Sequence, residues 1–342
     1  NIYYINLSCD DYKLGGSSFA QILGEIGEKT PTIKDSNFVV NVFNTIQDLI
    51  RKDLIIAGHD IGSGGLITTI MEMCFADNNI AANIDLTSIG ERDSIKLLFS
   101  ENSGIVVQSK DKSIEEILDN KGIDYYKIGS VTTEKKLLLK NHSDSYEIDI
   151  EEYRDYWFKT SMLLDKKQTA NNLSEIRYTN YKKQPLNFKF PTDFSGKKPV
   201  PLEMEYRPKA AVIREKGSNS ERELANALFL AGFQVKDIHM TDLITGRENL
   251  EDVQFIGTVG GFSNSDVLGS AKGWAGAFLY NKKAKESINN FISRKDTLSI
   301  GVCNGCQLFM ELEVVNPDHE IHGKMTFNDS NKHESGFTSV NI

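Results

Sequence analysis

Cysteine, proline and long apolar runs are scarce in this sequence. Its 342 residues include four cysteines and seven prolines. Four cysteines are too few to form a disulfide framework like that of a small secreted domain. This cysteine usage indicates a reducing compartment, and we expect a cytoplasmic protein. We also expect no secretory signal, and no apolar run approaches the roughly 18 residues that a membrane helix needs. We therefore expect no contact with a membrane.

Positive charge is in short supply as well. Lysine and arginine number 39 against 48 acidic residues, which leaves a formal net charge of −9. Because nucleic-acid-binding proteins need a basic footprint for the phosphates, nucleic acid is not an expected partner. The chain is long enough for two domains with separate cores. Its first residue is Asn, and both ends lie inside strand-like stretches, so we expect a piece of a longer polypeptide.

The first half of the chain mixes helix and strand patterns. Apolar residues at helical spacing predict a helix in FVVNVFNTIQDLI, and DLIIAG predicts a short buried strand after it. The Gly-rich loop HDIGSGG follows. The next predicted helix carries Cys74 on its apolar face, so Cys74 is expected in the core. The stretch KKLLLKNHSDSYEIDI predicts a hairpin.

The second half alternates strands and helices. The pattern from Ala210 to Leu312 predicts a parallel, doubly wound sheet, with Cys303 at the C-terminal end of a central strand. Residues 146–206 separate the two halves. They open on a helix-like aromatic stretch and continue as polar sequence rich in proline, which is typical of an ordered linker.

Two cysteines stand three residues apart in SIGVCNGCQLFMEL, residues 299–312. Cys303 lies between a predicted strand and a predicted helix, at the sheet edge where catalytic groups gather. A helix N-terminus favours a thiolate, and its free N–H groups can hold an oxyanion. Gly301 and Gly305 permit the tight turn. The pattern therefore predicts a nucleophile elbow with sulfur in place of oxygen.

Other interpretations of the cysteine pair stay open. Cys306 lies in line with Met310 on the predicted helix, so we expect it to be buried against the sheet. A CxxC redox pair and two structural cysteines are the main alternatives. A zinc site would need His319 and His322 as further ligands, and their spacing matches no tight zinc pattern.

Two Gly-rich turns are candidates for binding anions. Gly260 and Gly261 follow a predicted strand, and a Gly-Gly turn there can direct backbone N–H groups at an oxyanion. A plain tight loop is the alternative. Asp60 leads into the HDIGSGG loop, and a carboxylate before such a loop suits magnesium with phosphate. A helix cap is the alternative there.

Several motifs resemble a known family. GVCNGCQ fits the G-x-C-x-G-x-Q elbow of class I glutamine amidotransferases, and RPKAAVIREKGSNSERELANAL and GGFSNSDVLGSAKGWA resemble one group among them. That group is the phosphoribosylformylglycinamidine synthase family of purine biosynthesis. In the first half, LGGSSFAQ, HDIGSGGL and FSENSG resemble the C-terminal part of the second synthetase-like repeat of the same family.

The resemblance implies an α/β architecture in three parts. An α+β domain of the AIR synthetase C-terminal type would span residues 1–145, with 1–15 as the tail of a preceding domain. A linker would span 146–206. A truncated, flavodoxin-like class I amidotransferase domain would span 207–342. The whole enzyme of the family hydrolyses glutamine, passes the ammonia through its interior, and uses ATP and Mg²⁺ to convert formylglycinamide ribonucleotide to the amidine.

The resemblance also assigns roles to residues. Cys303 would be the glutaminase nucleophile, forming a γ-glutamyl thioester. The backbone N–H of Asn304 and one from Gly260–Gly261 would form the oxyanion hole. Gly305 and Gln307 would belong to the glutamine pocket. In the first half, a structural nucleotide would bind at Gly62, Gly64 and Gly65, and Asp60 would ligate its magnesium.

The chain departs from the family pattern in places. Ser63 stands where a second acid is common, and Asn264-Ser265 replaces a Tyr-Gly pair. The family's catalytic His-x-Glu stretch does not follow Cys303, so the histidines at positions 319, 322 and 333 are expected at the surface. The chain alone is then expected to be inactive, with the remainder of the same polypeptide as partner. A non-catalytic nucleotide-binding scaffold and another elbow-cysteine hydrolase are the rival hypotheses.

Overall fold

The computed structural model describes residues 1–77, 79–183, 186, 189–197, 200–201 and 205–338. Part of the predicted linker and the last four residues of the predicted amidotransferase domain lie outside these ranges. The chain divides into two compact units, one of residues 1–186 with 329–342 and one of residues 187–328. None of the helices in the described ranges is long and apolar enough to cross a membrane.

The first unit contains a seven-stranded sheet. Its strands are β1 (Ile2–Asn6), β2 (Ala57–Asp60), β3 (Ala81–Asp85), β4 (Gly104–Gln108), β5 (Tyr126–Thr132), β6 (Lys136–Asn141) and β7 (Asp144–Asp149). They lie in the order β2-β4-β1-β5-β3-β6-β7. Every neighbouring pair is antiparallel except β3 and β6, which run parallel.

Helices cover both faces of this sheet. The helices described in this unit are α1 (Ser18–Ile22), α2 (Ser36–Arg51), α3 (Gly65–Cys74), α4 (Ser94–Phe99), α5 (Ser113–Asn120), α6 (Ile150–Asp165) and α7 (Leu173–Asn180). Successive residues of a strand point to opposite faces. Accordingly Tyr3 packs in the core cluster of α2 and α5, while Tyr4 packs in the cluster that includes α3 and α4. Strand β1 is therefore buried on both sides.

Several expectations for the first half are confirmed. The predicted helices appear as α2 and α3, Cys74 is 5% exposed in the core, and β6 and β7 form the predicted hairpin. One expectation is wrong. DLIIAG does not form a buried strand, because β2 begins only at Ala57 and lies at the sheet edge with three of its four residues exposed.

The second unit contains a four-stranded parallel sheet and a short strand pair. The strands are β8 (Lys209–Arg214), β9 (Ser218–Asn219), β10 (Gln234–His239), β11 (Phe255–Thr258), β12 (Gly260–Gly261) and β13 (Leu298–Gly301). The parallel order is β10-β8-β11-β13, and β12 pairs with β9. The helices are α8 (Glu221–Leu230), α9 (Met240–Thr245), α10 (Lys272–Leu279), α11 (Lys282–Ser293) and α12 (Asn304–Glu311).

The parallel, doubly wound sheet predicted for the second half is confirmed. Its strand order corresponds to the flavodoxin-like type, in which the first strand lies between the second and the third. The prediction that Cys303 follows a central strand is wrong within the described ranges. The preceding strand, β13, is at the edge of the sheet, and its outward position leaves Leu298 73% exposed.

Candidate active site and Gly-rich loop

Cys303 occupies a strained turn between β13 and α12. It is the N-cap residue of α12, with φ 52° and ψ −109°, a conformation that L-residues adopt only when their surroundings enforce it. Its side chain is exposed. The predicted position on a sharp strand-to-helix turn is therefore confirmed, and the thiol faces solvent at the carboxyl edge of the parallel sheet.

Two glycines make this turn possible. A Cβ added at Gly305 would lie 2.3 Å from the carbonyl oxygen of Thr258, at the end of β11. A Cβ added at Gly301 would lie 2.7 Å from the carbonyl oxygen of Gly305. Both distances are far below van der Waals contact. The first turn of α12 is consequently pressed against the end of the sheet, which only glycine allows.

The Gly-Gly turn lies directly against the cysteine. A Cβ added at Gly260 would be 3.2 Å from the Cys303 Cβ and 3.8 Å from its Sγ. Gly261 has φ 100°, which a side chain would disfavour. Strand β12 is held in place by its antiparallel pairing with β9. The structure thus brings the predicted nucleophile and the predicted oxyanion turn together.

Asn304 links the elbow to the next turn. Its side chain is fully buried. The Asn304 Oδ1 accepts a hydrogen bond from the backbone N–H of Ser263 at 3.3 Å, and its Nδ2 donates to Asp266 Oδ1 at 3.2 Å and to Gln307 Oε1 at 3.1 Å. The turn so contacted, Ser263–Asp266, contains the Asn264-Ser265 pair that departs from the family pattern.

The expectation for Cys306 is wrong, because its thiol is exposed rather than buried. Helix α12 buries Asn304, Gly305, Leu308 and Phe309. The buried face of the helix therefore does not include Cys306. Both members of the CxxC pair are open to solvent.

The histidines do not complete a catalytic pair with Cys303. His319 and His333 are exposed, as expected, whereas His322 is half-buried with its Nε2 3.9 Å from Glu313 Oε2. All six histidines of the chain are described, and none of them hydrogen-bonds to Cys303. In the described ranges no group of three or more His, Cys, Asp or Glu side chains could hold a metal ion.

The Gly-rich loop of the first unit joins β2 to α3. Asp60 ends β2 with its side chain 87% exposed. Gly64 and Gly65 have φ 88° and 73°, and a Cβ at Gly65 would lie 2.6 Å from the carbonyl oxygen of Leu98. A Cβ at Gly62 would meet nothing within 4 Å. The loop therefore has an open side at Gly62 and a packed side at Gly65.

Glu101 is a residue that the sequence reasoning missed. Its Oε1 accepts hydrogen bonds from the backbone N–H groups of Gly64 and of Ser18, both at 2.8 Å. Burial raises the pKa of Glu101, but the N–H groups of Ser18 and Gly64 together with the Ser18 hydroxyl outweigh it, so the pKa is lowered. One carboxylate thus ties together the three segments LGGSSFAQ, HDIGSGGL and FSENSG. Its position within the third segment was the available signal.

Comparison with known families agrees with this arrangement. Residues 8–140 match the family described as AIR synthase related protein, C-terminal domain. Residues 207–342 match the family described as CobB/CobQ-like glutamine amidotransferase domain. The chain is thus a synthetase-type domain followed by a glutamine amidotransferase domain, as the sequence predicted.

Two curated relatives match the chain over nearly its whole length. The chain is 35% identical over 353 residues to a probable phosphoribosylformylglycinamidine synthase, chloroplastic/mitochondrial, of Arabidopsis thaliana, covering 100% of this chain and 25% of the relative. It is 36% identical over 362 residues to a probable phosphoribosylformylglycinamidine synthase of Caenorhabditis elegans, covering 99% and 27%. Over nearly its whole length the chain is similar to a segment of these phosphoribosylformylglycinamidine synthases. It spans about a quarter of the length of these relatives.

Solved structures also match parts of the chain. PurLQS from Thermotoga maritima is 28% identical, with a TM-score of 0.27, over 31% of this chain and 45% of that chain. T. maritima PurL complexed with FGAR is 18% identical, with a TM-score of 0.36, over 45% of this chain and 27% of that chain.

Proposed function

We propose that this chain supplies the glutamine-hydrolysing centre and the end of the synthetase region of a phosphoribosylformylglycinamidine synthase. The observation that carries the proposal is the strained, exposed Cys303 with Gly260 packed against it. An exposed nucleophile beside backbone N–H groups is the arrangement that acyl transfer requires. The match of residues 207–342 to a glutamine amidotransferase domain supports glutamine as the acyl donor.

In the proposed reaction, the Cys303 thiolate attacks the carboxamide carbon of glutamine. The oxygen of the tetrahedral intermediate accepts hydrogen bonds from the backbone N–H of Asn304 and from one N–H of Gly260–Gly261. The C–N bond breaks, ammonia leaves after gaining a proton, and the γ-glutamyl thioester remains. Water then hydrolyses the thioester to glutamate. The proton transfers need an acid and base, which we assign to the remainder of the polypeptide, because no histidine of this chain hydrogen-bonds to Cys303.

The first unit would serve the synthetase reaction. There, ATP would drive the conversion of formylglycinamide ribonucleotide and ammonia to the amidine, with the ammonia passed through the interior of the whole enzyme. Magnesium is commonly held by one or two carboxylates together with nucleotide phosphates, so the single exposed Asp60 fits such a site. When bound, the ion would neutralise phosphate charge. Gly62 offers the open side of the loop, because a Cβ there would meet nothing within 4 Å, whereas the N–H of Gly64 already donates to Glu101.

The compartment is also a proposal. Few cysteines, all four of them free thiols, suit a reducing compartment such as the cytoplasm. The Arabidopsis relative carries the description chloroplastic/mitochondrial.

Alkylation tests the proposed nucleophile. A glutamine-like diazoketone should alkylate Cys303 before Cys306 and Cys9, and added glutamine should slow the reaction because it occupies the same pocket. Peptide mass spectrometry locates the label. Cys303→Ala should remove the preferential label, and Cys306→Ala, as the matched control, should retain it. The 342-residue chain by itself should be alkylated but should release no ammonia from glutamine.

Two results would count against the proposal. Alkylation of Cys306 first, or no protection by glutamine, would place the reactive thiol elsewhere. A disulfide that forms reversibly between Cys303 and Cys306 at a thioredoxin-like potential would favour a redox pair, since both thiols are exposed.

A further inference from the structure

The Asn304 side chain uses both of its polar groups to hold a neighbouring turn. Its oxygen accepts from Ser263 at the start of the turn, and its nitrogen donates to Asp266 at the end. The side chain has no solvent exposure. A third hydrogen bond joins its nitrogen to Gln307 Oε1 within α12. A buried amide that is held on its own helix and also bonded to both ends of one turn is placed to fix the position of that turn relative to the elbow.

The turn itself needs such support. Asn264, Ser265 and Asp266 are three consecutive non-glycine residues with positive φ, at 51°, 55° and 49°. Each is in a conformation that is unfavourable for an L-residue and persists only when contacts enforce it. Further hydrogen bonds hold the turn from the other side, from the Asn264 N–H to the Lys216 carbonyl oxygen and from the Ala271 N–H to Asp266 Oδ1.

The turn is joined to the Gly-Gly strand that lies against Cys303. Only Phe262 separates Gly261 from Ser263, and the Phe262 N–H donates to the carbonyl oxygen of Gly217 at 3.0 Å. A displacement of Ser263 would therefore be transmitted to Gly261. Strand β12 and helix α12 are different elements, and the Asn304 side chain connects α12 to the turn that follows β12.

We propose that the side chain of Asn304, paired with Asp266, is a positioning device that sets the spacing between the elbow and the Gly-Gly turn. This role is separate from that of the Asn304 backbone N–H, and it rests on the proposed glutaminase function. It accounts for the burial of a polar side chain immediately after the nucleophile. The device also explains how Ser265 keeps the left-handed conformation that glycine would adopt more readily.

An exchange of the two side chains tests this device in the full-length protein. Asn304→Asp removes the donor and places a second carboxylate against Asp266, while leaving the backbone N–H intact. The double variant Asn304→Asp with Asp266→Asn restores one donor and one acceptor in the opposite sense. Asn281→Asp makes the same chemical change at the N-cap of α11, where aspartate caps as well as asparagine does, and is the matched control.

The measurement is the rate of Cys303 alkylation by the glutamine-like diazoketone divided by its rate with iodoacetamide. The ketone oxygen of the first reagent needs the oxyanion N–H groups, whereas the second reports thiol reactivity alone. Asn304→Asp should lower the ratio about tenfold, because small displacements of pre-organised groups are costly. The double variant should recover most of the wild-type ratio, and Asn281→Asp should match the wild type. Amide hydrogen exchange at residues 263–266 should rise and recover in the same order.

The outcomes distinguish failure of the proposed Asn304 role from failure of the proposed glutaminase function. If the wild type shows no preference for the glutamine-like reagent, the glutaminase proposal fails, and the proposed role of Asn304 fails as well because it depends on that function. If the wild type shows the preference and Asn304→Asp keeps it, the inference alone is overturned. A double variant that folds, by its melting temperature, yet stays as impaired as Asn304→Asp overturns it equally.

Discussion

Replacing Gly305 by alanine is the sharpest test of the packing beneath Cys303. The new Cβ would lie 2.3 Å from the carbonyl oxygen of Thr258 and 2.6 Å from its Oγ1, so α12 would have to move away from β11. In a helix, Gly→Ala ordinarily adds roughly 1 kcal/mol of stability. Overpacking in a close-packed region costs about 1–3 kcal/mol or more, and the clash here is with backbone. We expect Gly305→Ala to lower the free energy of unfolding by about 1–3 kcal/mol.

Gly276→Ala is the matched control within the same unit. It lies inside α10, where the nearest atom to a new Cβ is a side-chain carbon of Tyr280 at 3.8 Å, an ordinary contact. We expect this change to raise the stability by about 0.5–1 kcal/mol. The two substitutions are chemically identical, so opposite changes in the free energy of unfolding would come from the surroundings of each glycine alone.

Urea unfolding followed by fluorescence can measure both variants. The chain has two tryptophans, and Trp157→Phe leaves the fully buried Trp274 as the single reporter of the second unit. This choice avoids treating the two units as one transition. A Gly305→Ala protein as stable as the wild type would refute the reasoning, because it would show that α12 does not press against the end of β11.

Two further predictions concern other parts of the chain. Glu101→Gln should destabilise the first unit by about 1–3 kcal/mol, since it weakens charge-assisted hydrogen bonds to two backbone N–H groups. The pKa of Glu101 is lowered in the folded state, so the carboxylate stabilises the fold at pH values above its unfolded-state pKa near 4.5. This stabilisation is lost as the pH falls through the folded-state pKa. The stability of the Glu101→Gln variant should therefore decrease less steeply with acid than that of the wild type. In a thiol titration of the native protein, three of the four cysteines should react, and Cys74 should not, because burial raises the pKa of its thiol to about 11. Rapid reaction of all four thiols would contradict the described core.

The elbow could be predicted from sequence because all its determinants are local. A strand, two glycines, a cysteine and a helix follow one another within residues 299–312, and each constrains the next through the backbone. The lateral position of β13 could not be predicted in the same way. Alternating strands and helices predict a parallel sheet, but the order of strands depends on packing between distant segments.

Cys306 shows why the buried face of a short helix is hard to predict. In the eight residues of α12, the buried set begins with Asn304 and Gly305, which contribute no hydrophobic signal. Alignment with Met310 therefore indicated the wrong side. Glu101 was missed for a different reason. Its partners lie 83 and 37 residues away in the chain, so no local pattern marks them.

The position of strand β1 in the sheet affects how the first unit can fold during synthesis. In the part of the chain that the structure describes, β1 pairs with β4 and β5, and the hydrogen bond from Asn1 to Ser109 closes a separation of 108 residues. At synthesis rates of about 5–20 residues per second, its partners appear roughly 5–25 s after β1 itself. During that interval this strand, which is rich in tyrosine and isoleucine, lacks the two strands with which it pairs in the folded unit. Co-translational folding of the first unit therefore has to wait for its middle, and a chaperone that shields short apolar segments would find its target at Ile2–Asn6.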